Sequence, residues 1–157
     1  MRSGGQPATE AWLRLRCEAT PDHLEGLMRQ VDEALDRAGV HGDDAHDLRL
    51  VVEEACVNVM RHAWTDLQGR PELSLEIGPA QLGTAAALRV ELSDHGRPFN
   101  PLAAAAPDLL MDAQDRPIGG LGIHLIRSLT DEQHYSRDDV HGNRLVLLKR
   151  LARKPAG

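Results

Sequence analysis

The order in which strand-like and helix-like patterns follow one another constrains the fold of this chain most. Strands show alternating apolar and polar residues, whereas helices show apolar residues three and four positions apart. In chain order the segments are a strand at 11–18, helices from Thr20 to Gly39 and from Asp43 or Asp44 to about His62, strands at 72–77 and 86–93, an irregular stretch at 94–118, a helix opened by residues 119–122, and strands at 133–137 and 144–149. This β-α-α-β-β-loop-α-β-β order predicts an α/β sandwich (α+β class), in which helices cover one face of a mixed, mainly antiparallel sheet.

Turn-forming residues predict how the middle of the chain is connected. Gly78-Pro79 and Gly83 are expected to form the turn between the strands at 72–77 and 86–93, which would then pair as an antiparallel hairpin. The stretch 94–118 is rich in proline and has no period of either kind. A loop of this length in a compact domain is usually functional or mobile.

Length and charge bound the class of protein. A chain of 157 residues predicts one domain, which we place at 10–151 between a disordered tail at 1–9 and a C-terminal tail at 152–157. The net charge of −6 argues against direct binding of nucleic acid, which requires a basic surface. No apolar run reaches the roughly 18 residues of a membrane span. With no secretion signal and two cysteines outside any metal or redox spacing, a cytoplasmic protein is expected.

The second helix contains polar residues where a core helix would carry apolar ones. Residues four apart differ by about 40° around a helix axis, so Glu54 and Asn58 share a face that His62 continues. Glu53 points elsewhere and is expected to be a solvated surface charge. An asparagine oxygen suits Mg²⁺, and a glutamate can act as a general base. The plainer alternative is a hydrogen-bonded pair at the edge of the core.

The turn DHGRPF at 94–99 follows a predicted strand. An aspartate at a strand end can accept a hydrogen bond from an exocyclic amine such as that of adenine, and Gly96 would let a flat ligand approach the chain. An ordinary turn also uses aspartate and glycine, so the motif is weak by itself.

The segment GGLGIHLIR at 119–127 places glycines at the start of a helix. Free backbone N–H groups there form an anion site, most often for phosphate. A helix that begins after a flexible loop is the plainer alternative. The segment is neither a P-loop, since no GK[ST] follows, nor a dinucleotide fingerprint, since no strand precedes it.

Taken together, these motifs resemble those of the GHKL ATPases, a superfamily that includes gyrase, Hsp-type chaperones, histidine kinases and mismatch-repair proteins. Glu54-x-x-x-Asn58 resembles the N box, Asp94-x-Gly96 the first glycine box and Gly120-x-Gly122 the second. The runs EACVNVMRHAW, DHGRPF, GGLGIHLIRSLTDE and GNRLVLLKR resemble the subgroup of anti-sigma-factor serine/threonine protein kinases, the RsbW-like proteins. The resemblance covers about residues 10–150.

This resemblance implies a Bergerat-type ATP-binding fold that uses ATP and Mg²⁺. It implies that Glu54 is the catalytic base, that Asn58 binds the metal, and that residues 100–118 form a lid over the nucleotide. The implied ATP-binding residues are Asn58, His62, Asp94, Gly96, Pro98, Phe99, Gly119, Gly120, Leu121, Gly122 and Ile123. Many relatives have a glycine where Pro98 stands, and proline restricts the backbone and removes a donor. We interpret Arg97-Pro98 as a mark of the subgroup.

The leading hypothesis is an ATP-dependent protein serine/threonine kinase that is also an anti-sigma factor. By resemblance, its partners would be a sigma factor and an anti-anti-sigma factor of the STAS type, and a homodimer is expected. The alternative is a nucleotide-gated module that sequesters a regulator without transferring phosphate. The presence of Glu54 favours the kinase, since a pure binding module needs no base. A third hypothesis, an interaction protein with a vestigial pocket, predicts no nucleotide binding.

Overall fold

The computed structural model describes residues 11–64, 69–103 and 120–152. The tail predicted at 1–9, nearly all of the tail at 152–157, residues 104–118 of the predicted lid, and Gly119 lie outside the described residues. The elements are β1 (Leu13–Glu18), α1 (Pro21–Arg37), α2 (Gly42–Asn58), a π-helical turn (Val59–Ala63), β2 (Glu72–Leu82), β3 (Ala85–Asp94), a 3₁₀ turn (Pro101–Ala103), α3 (Gly120–Leu129), β4 (Glu132–Asp138) and β5 (Gly142–Arg150). These agree closely with the predicted order of segments.

Within the described residues, five strands form one sheet in the order β1-β2-β3-β5-β4. Each neighbouring pair is antiparallel, so the part of the chain that the structure describes contains no parallel pair that would make the sheet mixed. The helices pack on one face, where α2 contacts α1, α3 and β3. The predicted α/β sandwich is therefore confirmed.

The strands alternate between a buried face and a polar face. On β2, Leu73, Leu75 and Ile77 are buried against the helices, whereas the residues between them point away from the core. Burying each such side chain is worth about 1.5–3 kcal/mol. The polar face carries ion pairs such as Arg14–Glu76 and Arg16–Glu72. Among the described residues, no helix has the length and apolar character needed to cross a membrane.

The hairpin between β2 and β3 is confirmed, but part of its predicted turn is wrong. Gly78 and Pro79 lie inside β2, paired with Arg89 and Leu88, and the turn comes later, at Gly83, whose φ is 61°. The pairing of β1 with β2 extends only to Ile77. Beyond that point no described residue pairs with β2 on its β1 side, and such an edge tolerates the missing N–H of a proline.

Candidate functional site

The predicted polar face of the second helix lies at the end of α2. Asn58 is its last residue and is only 3% exposed, while Glu54 lies one turn earlier and is half-buried. Glu53 forms an ion pair with Arg49 (3.7 Å), and its side chain is 39% exposed. The prediction that Glu53 is a surface charge is therefore confirmed.

The amide nitrogen of Asn58 is buried without a hydrogen-bond partner among the described residues. A buried donor left unpaired costs about 1–3 kcal/mol, which is unfavourable for a residue that only fills a core. This orphaned amide N–H₂ is therefore the clearest local sign that a hydrogen-bond acceptor outside the described residues completes the site.

The π-helical turn at Val59–Ala63 joins the end of α2 to the loop that follows β3. The carbonyl oxygen of Ala63 accepts a hydrogen bond from the backbone N–H of Arg97 (2.5 Å). His62 stacks on Phe99 with ring centroids 4.7 Å apart and planes inclined by 20°. Single π-helical turns often occur at functional sites. Here the turn brings together the residues predicted from two separate motifs.

Gly96 is needed for this junction. A Cβ atom at position 96 would lie 2.2 Å from the carbonyl oxygen of Ala63 and 2.9 Å from its Cβ. The space beside Gly96 is therefore occupied by Ala63, the last residue of the π-helical turn. This is a different reason for the glycine than the approach of a flat ligand.

We expect Gly96→Ala to lower the free energy of unfolding by about 2–3 kcal/mol and the melting temperature by about 5–10 °C, because backbone atoms must move to admit the methyl group. Gly26→Ala is the matched control. Gly26 lies in α1 with open space around it, so alanine there should stabilise the helix by about 0.5–1 kcal/mol. Calorimetric melting of both variants checks this, and an unchanged melting temperature for Gly96→Ala would contradict the packing argument.

Asp94 ends β3 with its carboxylate held in one orientation. It is only 5% exposed, and its Oδ1 accepts hydrogen bonds from the N–H of Gly96 (2.8 Å) and from Nδ2 of Asn143 (3.0 Å). Burial raises the pKa of the carboxyl above its ordinary value, and these two hydrogen bonds together with the charges of Arg137 and His95 oppose that rise only in part.

Asn58, Asp94 and Phe99 are brought together around one small cavity between α2 and the sheet. The cavity is lined by Ala55, Asn58, Val59, Leu92, Asp94, Phe99, Pro101, Tyr135, Asn143 and Leu145. Apolar walls with a few fixed polar groups are typical of small-molecule sites. The cavity has a volume of about 20 Å³, which is room for a single water molecule, so a flat ring would have to move its walls apart to enter. The polar groups that such a ring would meet are one carboxylate and one amide.

The other predicted site residues that the structure describes do not line this cavity. Pro98 is exposed, and His62 lies against Phe99. Glu54 precedes Asn58 on the same helix and does not line the cavity. The predicted glycine segment lies at the start of α3, which begins at Gly120; Gly120, Leu121, Gly122 and Ile123 form its first turn.

Sequence reasoning missed Asn143 and Tyr135, which also line the cavity. A signal for Asn143 exists. On β5, Asn143 lies on the same buried face as Leu145 and Leu147, where a polar residue is unexpected. Its partner Asp94 becomes apparent only from the strand register.

The described residues around Asn58 do not form a complete metal site by themselves. Within residues 11–64, 69–103 and 120–152, no group of three or more His, Cys, Asp or Glu side chains could hold a metal. Mg²⁺ usually keeps several waters and binds through one or two carboxylates together with substrate phosphates, whereas Asn58 offers a single amide oxygen. An ion at the Asn58 side-chain oxygen would therefore depend on a phosphate ligand.

Comparisons with known proteins give a matching family model and several relatives. The family model described as histidine kinase-like ATPase domain matches residues 17–149. The serine-protein kinase RsbW of Bacillus licheniformis is 26% identical over 133 residues, covering 81% of this chain and 79% of the relative. RsbW of Bacillus velezensis is 28% identical over 127 residues, covering 77% and 75%. The solved histidine kinase domain of a blue-light activated histidine kinase from Erythrobacter litoralis aligns with a TM-score of 0.47 and 17% identity; the match covers 83% of this chain and spans 62% of the length of that structure.

Proposed function

The chain belongs to the histidine kinase-like ATPase domain family, and we propose that it is an ATP-dependent serine/threonine protein kinase that also acts as an anti-sigma factor. One observation carries the proposal: the orphaned amide of Asn58 and the fixed carboxylate of Asp94 line the same cavity. These groups suit a nucleotide: the amide nitrogen of Asn58 can donate to a phosphate oxygen, its amide oxygen can share a cation with phosphates, and the carboxylate of Asp94 can accept from a base.

Asp94 is proposed to recognise adenine. Its Oδ1 is engaged by Gly96 and Asn143, which leaves Oδ2 to accept the exocyclic amine of the base. The apolar side chains of Leu92 and Leu145 line the same cavity and would cover the ring faces. A hydrogen bond to a charged acceptor in such a site is worth about 1.5–3 kcal/mol.

The phosphates are proposed to lie between Asn58 and the start of α3. Asn58 would hold Mg²⁺, which supplies charge neutralisation to the transferring phosphoryl group. The first turn of α3, from Gly120, offers backbone N–H groups at the positive end of the helix dipole. The predicted roles of Gly119, Gly120, Leu121, Gly122 and Ile123 belong to this part of the proposal.

Glu54 is proposed to be the general base. A residue one turn before Asn58 lies next to the proposed metal ligand, close to where an incoming hydroxyl would meet the phosphate. Glu54 would accept the proton of a serine or threonine hydroxyl as it attacks. Phosphoryl transfer needs mainly positioning and charge neutralisation, together with one base that accepts the proton of the incoming hydroxyl.

The acceptor and the regulated partner are proposed from the relatives, which are named serine-protein kinases RsbW. We propose that the acceptor is a STAS-type antagonist, and that phosphorylating this antagonist controls release of a sigma factor. A sigma factor works with the transcription machinery, so the proposed site of action is the cytoplasm. A homodimer is expected by the resemblance to RsbW-like proteins.

Calorimetric titration with ATP tests the site itself. We expect saturable binding in Mg²⁺, with an affinity about 10–100-fold lower in EDTA and in Asn58→Ala, because each change removes the metal bridge to the phosphates. Asn58→Asp is the matched control. It keeps an oxygen ligand at the same position and should retain the dependence on Mg²⁺.

The outcomes separate the hypotheses. Absence of binding at millimolar ATP would overturn the kinase and leave the family membership standing. Saturable binding without transfer to any STAS-type acceptor would instead favour the nucleotide-gated module. Binding with full affinity in EDTA and in Asn58→Ala would show that the role assigned to Asn58 is wrong.

A further inference from the structure

Asn143 connects four parts of the site through one side chain. Its Nδ2 donates to Oδ1 of Asp94 (3.0 Å) and to the carbonyl of Arg97 (2.6 Å). Its Oδ1 accepts from the hydroxyl of Tyr135 (2.5 Å) and from the N–H of Phe99 (3.2 Å). An asparagine amide has two donor hydrogens and two acceptor lone pairs, so this side chain is fully used.

The backbone partners fix which way the amide of Asn143 points. The N–H of Phe99 can only donate, so it must face the oxygen, and the carbonyl of Arg97 can only accept, so it must face the nitrogen. Asn143 is 4% exposed, and a flipped amide would leave buried groups unpaired. Asp94 therefore always meets a donor at this position.

Strand register makes the contact between Asn143 and Asp94 rigid. The two residues are direct partners on neighbouring strands β5 and β3. Gly142, with a φ of 67°, lets β5 approach closely, since a Cβ there would lie 2.2 Å from the carbonyl oxygen of Asp94. A bond between paired strands is held more firmly than one between loops.

We propose that Asn143 is a positioning residue that gives the site its selectivity for a base with an exocyclic amine. The inference rests on the proposed function and extends it. By holding Oδ1 of Asp94, together with the N–H of Gly96, Asn143 prevents the carboxylate from rotating. Oδ2 is then presented as an acceptor in one fixed direction, so a base that lacks the amine leaves it unpaired.

The test compares ATP with purine riboside triphosphate, which lacks only the exocyclic amine. Dissociation constants for both nucleotides are measured by calorimetry on the full chain in Mg²⁺. We expect the wild type to prefer ATP by at least about tenfold, as the loss of one hydrogen bond to a charged group predicts. In Asn143→Asp the preference should fall to about threefold or less, because an acceptor replaces the donor facing Asp94.

Gln133→Glu is the matched control. It makes the same amide-to-carboxylate change on β4, where the side chain bonds to Thr130 instead of Asp94. It should keep the wild-type preference. If thermal melting shows that Asn143→Asp is unfolded, Asn143→Leu, which loses the bond without adding a charge, is used for the same comparison.

The ratio of the two dissociation constants separates positioning from mere structural support. A purely structural role would weaken both nucleotides equally and leave the ratio unchanged, and that result in a folded variant would overturn the inference. Equal affinity of the wild type for both nucleotides would overturn it too, while leaving ATP binding intact. A wild type that binds neither nucleotide would overturn the proposed function and this inference together.

Discussion

Replacing Glu54 by glutamine should lower the rate of phosphoryl transfer by about a hundred- to ten-thousand-fold, the usual contribution of a general base. ATP affinity should change by less than about twofold, because the base acts mainly in the transition state. Glutamine keeps the size and polarity of the side chain, and Glu54 lies outside the cavity wall. The measurement is transfer of labelled phosphate to a STAS-type acceptor, with calorimetry of ATP binding alongside.

The neighbouring residue provides the matched control for this experiment. Glu53 carries the same carboxylate one position earlier on α2, but it is paired with Arg49 at the surface. Glu53→Gln should therefore leave transfer within about twofold of wild type, since exposed ion pairs contribute little. Equal losses in the two variants would indicate a general electrostatic effect, and undiminished transfer in Glu54→Gln would remove the assigned base.

Replacing Asp94 by asparagine should weaken ATP binding by about 10–100-fold, the loss expected when a charged acceptor is removed from a buried hydrogen bond. The asparagine oxygen can still accept from Gly96 and Asn143, so the local fold should survive. In place of Oδ2, however, the variant would present an N–H₂ group to the amine of the base. Calorimetric titration with ATP measures the loss, and a retained affinity would exclude Asp94 as the adenine acceptor.

The Asp94→Asn variant also tests how the stability of the nucleotide-free protein depends on pH. Burial raises the pKa of Asp94 in the folded state, so the folded chain binds this proton more tightly than the unfolded chain does. At a pH above the raised pKa, the ionised carboxylate therefore lowers the free energy of unfolding. This loss diminishes as the pH falls from the raised pKa to the ordinary pKa of the unfolded chain. We expect Asp94→Asn to melt at a higher temperature than wild type at pH 7. This difference in melting temperature should shrink as the pH falls toward 3.8, the ordinary pKa of an aspartate.

Melting curves without nucleotide, recorded for both proteins across this range, check the sign. Other carboxyl groups titrate in both proteins and cancel in the difference. A variant that is less stable than wild type at pH 7 would mean that the hydrogen bonds to the carboxylate outweigh the cost of burying it.

Local periodicity explains why much of the fold can be predicted. The spacing of apolar residues in α1 and α2 and the alternation in β2, β3 and β5 are properties of neighbouring residues, and their order along the chain is enough to indicate the sandwich. Glu54 and Asn58 are predicted to lie one turn apart on a single helix, and the structure places both of them on α2. The motif order 54–58, 94–96 and 120–122 likewise indicates the family without any knowledge of the packing.

Three other features depend on contacts between distant segments. Gly78 and Pro79 can lie within β2 because β1 pairs with that strand only as far as Ile77. Position 96 must be glycine because the carbonyl of Ala63 leaves no room for a Cβ atom. The hydrogen-bond partner of Asp94 is Asn143, on another strand. None of these contacts leaves a periodic signal, because each joins residues that the chain itself does not make neighbours. The sequence alone therefore determined the elements, their order and the polar residues that resemble a nucleotide site. Tertiary structure decided the strand register and the close approach of helix end to loop, since only packing brings Asn58, Asp94 and Asn143 around one cavity.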